Sequence, residues 1–221
     1  MAARKKEVRI VLESIDKQAV HDGVEELFLH TNVGTITARY HQADGANAAI
    51  VWVGGAGGGL DGPAAGLYPR LAGQLTGQPI ASLRLHYRFP NDLENCVIDT
   101  LMGVSFLKHQ RGHQQMALVG HSFGGAVVIS AGALSEDVVA VAALSSQTYG
   151  TSLATELSPR PLLLMHGMAD EILPDLCSRQ IYERAKEPKE IRLYPGCRHG
   201  LDECRPLVDT DLLGWLTDKL R

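Results

Sequence analysis

The sequence has neither a basic block nor a long apolar run. Its 21 Lys and Arg are scattered along the chain and are outnumbered by 25 Asp and Glu, so that the formal net charge is −4. Scattered cations without an excess of positive charge are not typical of nucleic-acid binding. The one early basic run, residues 4–6, is followed by alternating apolar residues and not by the continuous stretch of a secretory signal or membrane span. We therefore expect a cytoplasmic protein that binds neither nucleic acid nor membrane.

The chain also lacks paired cysteines. Cys96, Cys177, Cys197 and Cys204 form no CxxC motif, and a chain of 221 residues with ordinary composition is stable without crosslinks. We therefore expect free thiols. Cys197, His199 and Cys204 are close in sequence, but their spacing fits no common zinc motif and no fourth ligand is evident. The sequence thus predicts no metal site.

No repeat, linker or long insertion interrupts the chain, which predicts a single domain over residues 1–221. The segment between Leu144 and Pro161 is too short for a helical cap, so we expect any active site to be open. Strands are predicted before residue 45 at Val8–Leu12, Leu27–His30 and Thr35–Tyr40, which favours an antiparallel edge.

From Ala48 onward, short apolar runs alternate with helix-length segments, which is typical of repeated βα units around a parallel sheet. The runs predicted as buried strands are 49–53, 80–85, 116–119, 138–144, 162–165 and 191–194. The predicted helices are 63–75, 91–109, 124–134, 174–186 and 207–220. The sequence therefore predicts an α/β protein with a mostly parallel sheet and antiparallel N-terminal strands.

A serine lies in a sharp turn between a predicted strand and a predicted helix. The apolar run 116–119 leads into GHSFG (residues 120–124), and small and apolar residues continue to residue 131. A GxSxG turn in this context is strained and exposes the serine hydroxyl at the edge of the sheet, and the helix N-terminus places backbone N–H groups beside developing negative charge. A serine between glycines is elsewhere an ordinary loop or cap residue. Here the context predicts that Ser122 is a catalytic nucleophile.

With this motif in this context, the chain resembles the α/β-hydrolases, especially the compact lidless members related to dienelactone hydrolases, small carboxylesterases and acyl thioesterases. The resemblance extends from about Ile50 to Arg221. It implies a three-layer α/β/α sandwich without a cap domain. It also implies a catalytic triad in the chain order Ser, then Asp or Glu, then His.

The resemblance implies an acid for this triad. HGMADEILP (residues 166–174) follows a predicted strand and is similar to the family's HGxxDxxVP segment, which makes Asp170 the acid. Its role would be to hold the tautomer of the histidine and to stabilise the imidazolium. Glu171 and Asp175 are competing carboxylates, and an Asp before a Pro-initiated helix is also a common cap.

A histidine follows the last predicted strand. His199 lies in PGCRHG (residues 195–200), where a loop can return an imidazole towards Ser122. Imidazole titrates near neutral pH, so it can accept the serine proton and return it to the leaving group. The chain has nine histidines, and none of the other eight follows the acid on a terminal sheet loop. His199 is therefore the predicted general base.

The first predicted parallel strand ends in GGAGGG (residues 54–59), which we call the glycine loop. The family usually has His-Gly here, followed by an oxyanion-hole residue, and Gly54 replaces that His. The resemblance implies that the backbone N–H of Ala56 joins that of Phe123 in binding the oxyanion, with Gly55 as the alternative donor. Without the His, the anchoring of the loop and the choice between Gly55 and Ala56 stay open.

The glycine loop also overlaps a dinucleotide-binding pattern, because GGGLDG (residues 57–62) fits GxGxxG after a strand. The next predicted strand, however, ends in RLHY (residues 84–87), without the acidic residue that contacts a ribose. No Gly-Lys-Ser or Gly-Lys-Thr follows the loop, which excludes a P-loop.

Together these residues predict a serine hydrolase that cleaves small-molecule carboxylic esters or thioesters through an acyl-enzyme, without a cofactor. A serine nucleophile argues against dienelactone hydrolysis through a thiolate and against dehalogenation through a carboxylate. Two alternatives stay open. A peptidase or amidase would use the same triad but normally carries a selecting domain or cap, and a silent binding protein of this fold would often have lost a triad residue.

Two residues after the second predicted parallel strand are candidates for substrate binding. Tyr87 and Arg88 lie on the same rim as the glycine loop, and Arg88 could bind a carboxylate or phosphate of the substrate. The alternative is that Arg88 is solvated or forms a structural ion pair. The sequence makes no prediction of oligomeric state.

Overall fold

The strands of the chain form one sheet in the computed structural model, which describes residues 10–20 and 23–221. In these ranges the strands are β1 (Leu12–Val20), β2 (Val24–Thr31), β3 (Gly34–His41), β4 (Ala48–Val53), β5 (Ile80–His86), β6 (Gln115–His121), β7 (Val138–Leu144), β8 (Leu162–Gly167) and β9 (Lys189–Tyr194). Their order across the sheet is β1-β2-β3-β5-β4-β6-β7-β8-β9. Strands β4 to β9 are parallel, whereas β1, β2 and β3 are antiparallel and β3 pairs antiparallel with β5. The predicted mostly parallel sheet is confirmed.

Helices cover both faces of this sheet. They are α1 (Pro63–Leu75), α2 (Leu93–His109), α3 (Phe123–Leu134), α4 (Leu176–Arg184) and α5 (Arg205–Lys219). Helices α1 and α5 share one buried apolar cluster, and α2, α3 and α4 share the other. Strand β4 shows why the apolar runs are unbroken: Val51 and Val53 enter one cluster while Ile50 and Trp52 enter the other. The α/β/α sandwich is thus confirmed.

The first strand differs from the prediction. Residues 8 and 9 of the predicted strand Val8–Leu12 lie outside the described residues, and β1 begins only at Leu12. It continues through polar residues to Val20 and forms the edge of the sheet beside β2. Most of its described side chains are exposed, so the strand needs no apolar alternation, and the alternation is what the prediction depended on.

The turn from β6 into α3, residues 120–124, has the geometry of a nucleophile elbow. Ser122 has φ 58° and ψ −121°, a strained conformation for a residue with a side chain. A Cβ at Gly120 would lie 2.1 Å from the carbonyl oxygen of Gly124, and a Cβ at Gly124 would lie 2.3 Å from that of Gly54. Strand, helix and glycine loop therefore meet backbone to backbone around Ser122.

Helix α1 begins with a left-handed turn that the apolar pattern does not predict. Residues 64–66 have φ of 50°, 50° and 83°. The guanidinium of Arg70 donates hydrogen bonds to the carbonyls of Ala64 and Ala65, at 2.9 Å each, and pairs with Asp209 of α5 at 2.8 Å. The N–H of Ala64 donates to the carbonyl of Gly200 at 2.6 Å. This turn therefore links α1 to the loop that follows β9.

The expectation of free thiols is wrong for one pair of cysteines. Cys197 and Cys204 form a disulfide, with their Cα atoms 5.8 Å apart, and it closes a loop that contains His199. Within the described residues, Cys96 and Cys177 are free. The short turn Asp202–Cys204 brings Cys204 close to Cys197. The spacing of the two cysteines matches no CxxC motif, so the sequence did not predict this pair.

We expect Gly120→Ala to lower the free energy of unfolding by about 3 kcal/mol, because the new Cβ overlaps the backbone of Gly124, which cannot rotate away. Urea denaturation measures this change. The matched control is Gly214→Ala in α5, where a Cβ has no neighbour within 4 Å and the free energy should change by less than about 1 kcal/mol. Equal stability of the two variants would contradict the backbone contact.

Candidate active site

Three side chains predicted as a triad are linked in series by two hydrogen bonds, with His199 between Ser122 and Asp170. The Oγ of Ser122 lies 3.0 Å from Nε2 of His199, and Nδ1 of the same ring lies 2.7 Å from Oδ2 of Asp170. The serine follows β6, the acid follows β8 and the histidine follows β9. Because the carboxyl ends of parallel strands share one edge of the sheet, residues distant in sequence meet there.

The carboxylate of Asp170 is buried and has a donor on each oxygen. Its Oδ1 accepts hydrogen bonds from the N–H groups of Ile172 and Leu173, at 2.9 and 2.8 Å. Burial alone would raise the pKa of this carboxyl, but the donors of Leu173, His199 and Ile172 outweigh it, and the pKa lies below its ordinary value. The group is therefore ionised at neutral pH and accepts a hydrogen bond from Nδ1–H of His199.

The two competing carboxylates do not occupy this position. Asp175 forms an ion pair with Arg179, at 2.9 Å, and Glu171 is exposed. Of the three candidate acids, Asp170 is the one that contacts His199.

A second histidine on the same acid was not selected from the sequence. His166 is fully buried, and its Nε2 lies 2.8 Å from the carbonyl of Leu173 and 3.1 Å from Oδ2 of Asp170. Both neighbours accept hydrogen bonds, so Nε2 must carry the proton, and Nδ1 then accepts from the hydroxyl of Ser178 at 2.7 Å. The His-Gly pair that opens residues 166–174 was the available signal for this role.

The histidine inside the serine motif was also missed. The ring of His121 packs on the ring of His199 with centroids 4.8 Å apart, and its Nε2 donates to the backbone carbonyl of His199 at 2.9 Å. Burial is the main cause that lowers the pKa of His121 to about 4. A neutral ring therefore supports the loop of His199 without placing a second positive charge beside it.

The glycine loop lies directly against the serine. A Cβ at Gly55 would lie 3.4 Å from Cβ of Ser122, and the carbonyl of Gly55 accepts from the N–H of Gly58 at 2.9 Å. Ala56 occupies the exposed turn between these two glycines. Phe123 is the first residue of α3, so its N–H has no partner within the helix. Both candidate sources of oxyanion donors therefore lie beside Ser122.

The structure corrects the substrate-binding expectation for Tyr87 and Arg88. Tyr87 is buried, its hydroxyl donates to the carbonyl of Gly54 at 3.2 Å, and its ring packs edge-on against Phe123. The side chain of Arg88 is 1% exposed and its Nε lies 2.5 Å from the buried carboxylate of Asp99. Tyr87 thus supports the glycine loop, and Arg88 forms the structural ion pair that was the alternative.

The surroundings of the site are open. A cavity of about 290 Å³ lies beside His199 and is lined by the loops that follow β8 and β9. Large apolar side chains remain exposed on loops at the same edge of the sheet: Phe89, Tyr149, Met168 and Ile172. Between β7 and β8 the described chain has only a short 3₁₀ turn, Ser152–Glu156, and no cap.

Neither a metal-binding cluster nor a membrane-spanning helix occurs in residues 10–20 and 23–221. No set of three His, Cys, Asp or Glu side chains there is arranged to hold a metal ion. No helix in the same ranges is long and apolar enough to cross a membrane.

The fold and this edge of the sheet define an α/β-hydrolase. The model of the dienelactone hydrolase family matches residues 65–208, and the chain belongs to that family. The uncharacterized protein YfhR of Escherichia coli strain K12 is 29% identical over a stretch that covers 46% of this chain and 44% of YfhR. That match spans less than half the length of the relative. Membership of this family supports hydrolase activity.

Solved structures support the same fold. The dienelactone hydrolase of Anabaena variabilis superposes with a TM-score of 0.79 at 17% identity, over 95% of this chain and 100% of that one. The esterase domain of a Rhodothermus marinus protein superposes with a TM-score of 0.68 at 18% identity, over 90% and 99%. At such low identity these similarities establish the architecture only. The reaction has to be inferred from the residues of the site.

We expect His121→Gln to make the protein less sensitive to acid. The folded protein holds this ring with a pKa of about 4, below the ordinary 6.5, so the folded state binds fewer protons than the unfolded state between these values. The stability that the neutral ring contributes is therefore complete above pH 6.5 and is lost as the pH falls towards 4. Between pH 7 and pH 5, the variant should lose about 2 kcal/mol less free energy of unfolding than the wild type.

Urea denaturation at both pH values measures this difference. The control is His109→Gln, because His109 is exposed at the end of α2. If His121→Gln and His109→Gln lose the same stability as the wild type, the neutral state of His121 is contradicted.

Proposed function

We propose that the protein is a serine hydrolase that cleaves small-molecule carboxylic esters or thioesters, with Ser122 as nucleophile, His199 as general base and Asp170 as acid. The observation that carries this proposal is the position of His199, whose two ring nitrogens contact Ser122 and Asp170 at 3.0 and 2.7 Å. An imidazole placed between a hydroxyl and an ionised carboxylate activates the hydroxyl as a nucleophile.

The first half of the reaction forms an acyl-enzyme. The Oγ of Ser122 bonds to the substrate carbonyl carbon while its proton passes to Nε2 of His199, and the carbonyl electron pair moves onto oxygen. Backbone N–H groups of Phe123 and of Ala56 or Gly55 would stabilise this oxyanion. When the carbonyl re-forms, the bond to the alcohol or thiol breaks and the leaving group takes the proton from Nε2.

The second half regenerates the serine. Water gives a proton to Nε2 of His199 as its oxygen bonds to the acyl carbon, and a second tetrahedral oxyanion forms at the same donors. Collapse releases the carboxylic acid and returns the proton to Oγ of Ser122. Throughout both halves, ionised Asp170 holds Nδ1 protonated and stabilises the imidazolium.

The open rim favours esters over peptides. A peptide substrate needs an extended surface or a selecting cap, whereas the described chain has only a short turn between β7 and β8. One structural relative is an esterase domain, which is consistent with ester cleavage on this architecture. The two hydrogen bonds that join Ser122 to His199 and His199 to Asp170 argue against a silent binding protein.

We expect a fluorophosphonate probe to label the wild-type protein at Ser122 and to leave Ser122→Ala unlabelled, because the probe bonds to an activated serine hydroxyl. Gel fluorescence and peptide mass spectrometry locate the label. The same pair should differ in turnover of p-nitrophenyl acetate, and the wild type should act more slowly on the matched anilide. Labelling of Ser122→Ala at the wild-type rate would refute the assignment.

The base and the acid are tested by His199→Ala and Asp170→Asn, each of which should lower kcat for the p-nitrophenyl ester by about 10⁴-fold. The first variant removes the base of Ser122, and the second removes the carboxylate that holds His199 in the required tautomer. The matched control is Asp175→Asn, which removes a nearby carboxylate paired with Arg179 and should change kcat by less than about 3-fold. A near-normal rate in Asp170→Asn would exclude this carboxylate as the acid.

A further inference from the structure

The glycine loop has no side chain with which to hold its own shape. Five of its six residues are glycine and the sixth is Ala56. Glycine loses more conformational freedom on folding than any other residue, so an ordered run of glycines needs contacts from outside. Oxyanion donors act through preorganisation, because a donor that must first be oriented loses most of its benefit. Something outside the loop must therefore fix it.

The two ends of the loop are held by the last residue of β5, His86, and the residue that follows it, Tyr87. At the start, the hydroxyl of Tyr87 donates to the carbonyl of Gly54 at 3.2 Å. At the end, Nδ1 of His86 accepts a hydrogen bond from the N–H of Gly59 at 2.8 Å. Successive residues of an extended chain point to opposite sides, so one strand end reaches both ends of the loop.

The histidine also packs on the loop itself. A Cβ at Gly58 would lie 2.7 Å from Nδ1 and 2.8 Å from Cε1 of His86, so the ring rests on the bare backbone there. Gly58 in turn donates to the carbonyl of Gly55, which lies against Ser122. A continuous series of contacts therefore runs from the imidazole of His86 to the residue beside the nucleophile.

We propose that His86 is the positioning residue of the oxyanion hole, acting through its Nδ1 acceptor on Gly59 and its ring on Gly58. The inference rests on the proposed function and deepens it. His86 contacts no reacting atom in this role. It holds the turn at residues 55–58 so that the backbone donors of the loop face the oxyanion of Ser122 before the substrate arrives.

The test separates the acceptor from the bulk of the side chain. In His86→Asn the amide Oδ1 lies where Nδ1 was and can accept from Gly59, whereas in His86→Gln the amide oxygen lies near the position of Nε2 and cannot. Both variants are polar and fit the end of a strand. For p-nitrophenyl acetate, we expect His86→Gln to lower kcat by about 10-fold to 100-fold, below the loss of a whole oxyanion donor, while KM stays within about 3-fold.

His86→Asn should retain kcat within about 5-fold of the wild type, since the acceptor is kept. The loss appears in kcat because the donors bind the charge that develops in the transition state and not the ground-state carbonyl. Gly58→Ala is a second variant at the same contact: its Cβ displaces the ring of His86, and the φ of 70° at this position also disfavours a side chain. Its loss of kcat should combine with that of His86→Gln less than additively, as expected for groups in contact. His109→Leu, on the exposed end of α2, is the control.

The outcomes are distinguishable. A wild type that turns over esters and is labelled at Ser122, with kcat unchanged in His86→Gln, would overturn this inference and leave the proposed function intact. Equal losses in the Asn and Gln variants, or a change confined to KM, would also overturn it. A wild type that is neither labelled nor active would overturn the proposed function and this inference together. A lower kcat in His86→Gln with recovery in His86→Asn supports it.

Discussion

The approach of three backbones around Ser122 is the constraint on which the site depends. The hydroxyl must be exposed, while the strand before it, the helix after it and the glycine loop beside it must meet closely enough to bring N–H groups to one point. Side chains would prevent this, as the 2.1 and 2.3 Å distances for a Cβ at Gly120 and Gly124 show. The strained φ of 58° at Ser122 is sustained by this packing.

Three histidines lie near Ser122, and their hydrogen bonds give them different roles. His121 is neutral because burial lowers its pKa to about 4, and His166 keeps its proton on Nε2 between two acceptors. The hydrogen bonds of these two rings go to other partners and not to the hydroxyl of Ser122. His199 alone among these three spans Ser122 and Asp170. The surrounding rings therefore fix the loops, and His199 is the imidazole that the proposed mechanism uses to exchange a proton with Ser122.

Sequence patterns predicted the parallel sheet and the positions of Ser122 and His199, because apolar runs and a strand-turn-helix motif are local properties of the chain. They predicted neither the edge strand β1, whose residues need no apolar face, nor the disulfide of Cys197. The assignment of Arg88 to substrate also failed, because its partner Asp99 lies on the following helix, α2, and no local sequence pattern pairs the two residues. Such contacts depend on how the segments pack in three dimensions, and the spacing of residues along the sequence does not predict that packing.

The three residues 86–88, at the end of β5 and directly after it, show how the position of a residue in the fold determines its role. His86 and Tyr87 contact the glycine loop and Arg88 is buried against Asp99, so three consecutive polar side chains are committed to the framework. The next residue, Phe89, is 47% exposed. A substrate can contact only what the framework leaves exposed, and on this edge that surface includes the apolar side chains of the loops. In the proposed hydrolase, the buried polar groups therefore hold the site in place, and the exposed loop residues are available to determine substrate specificity.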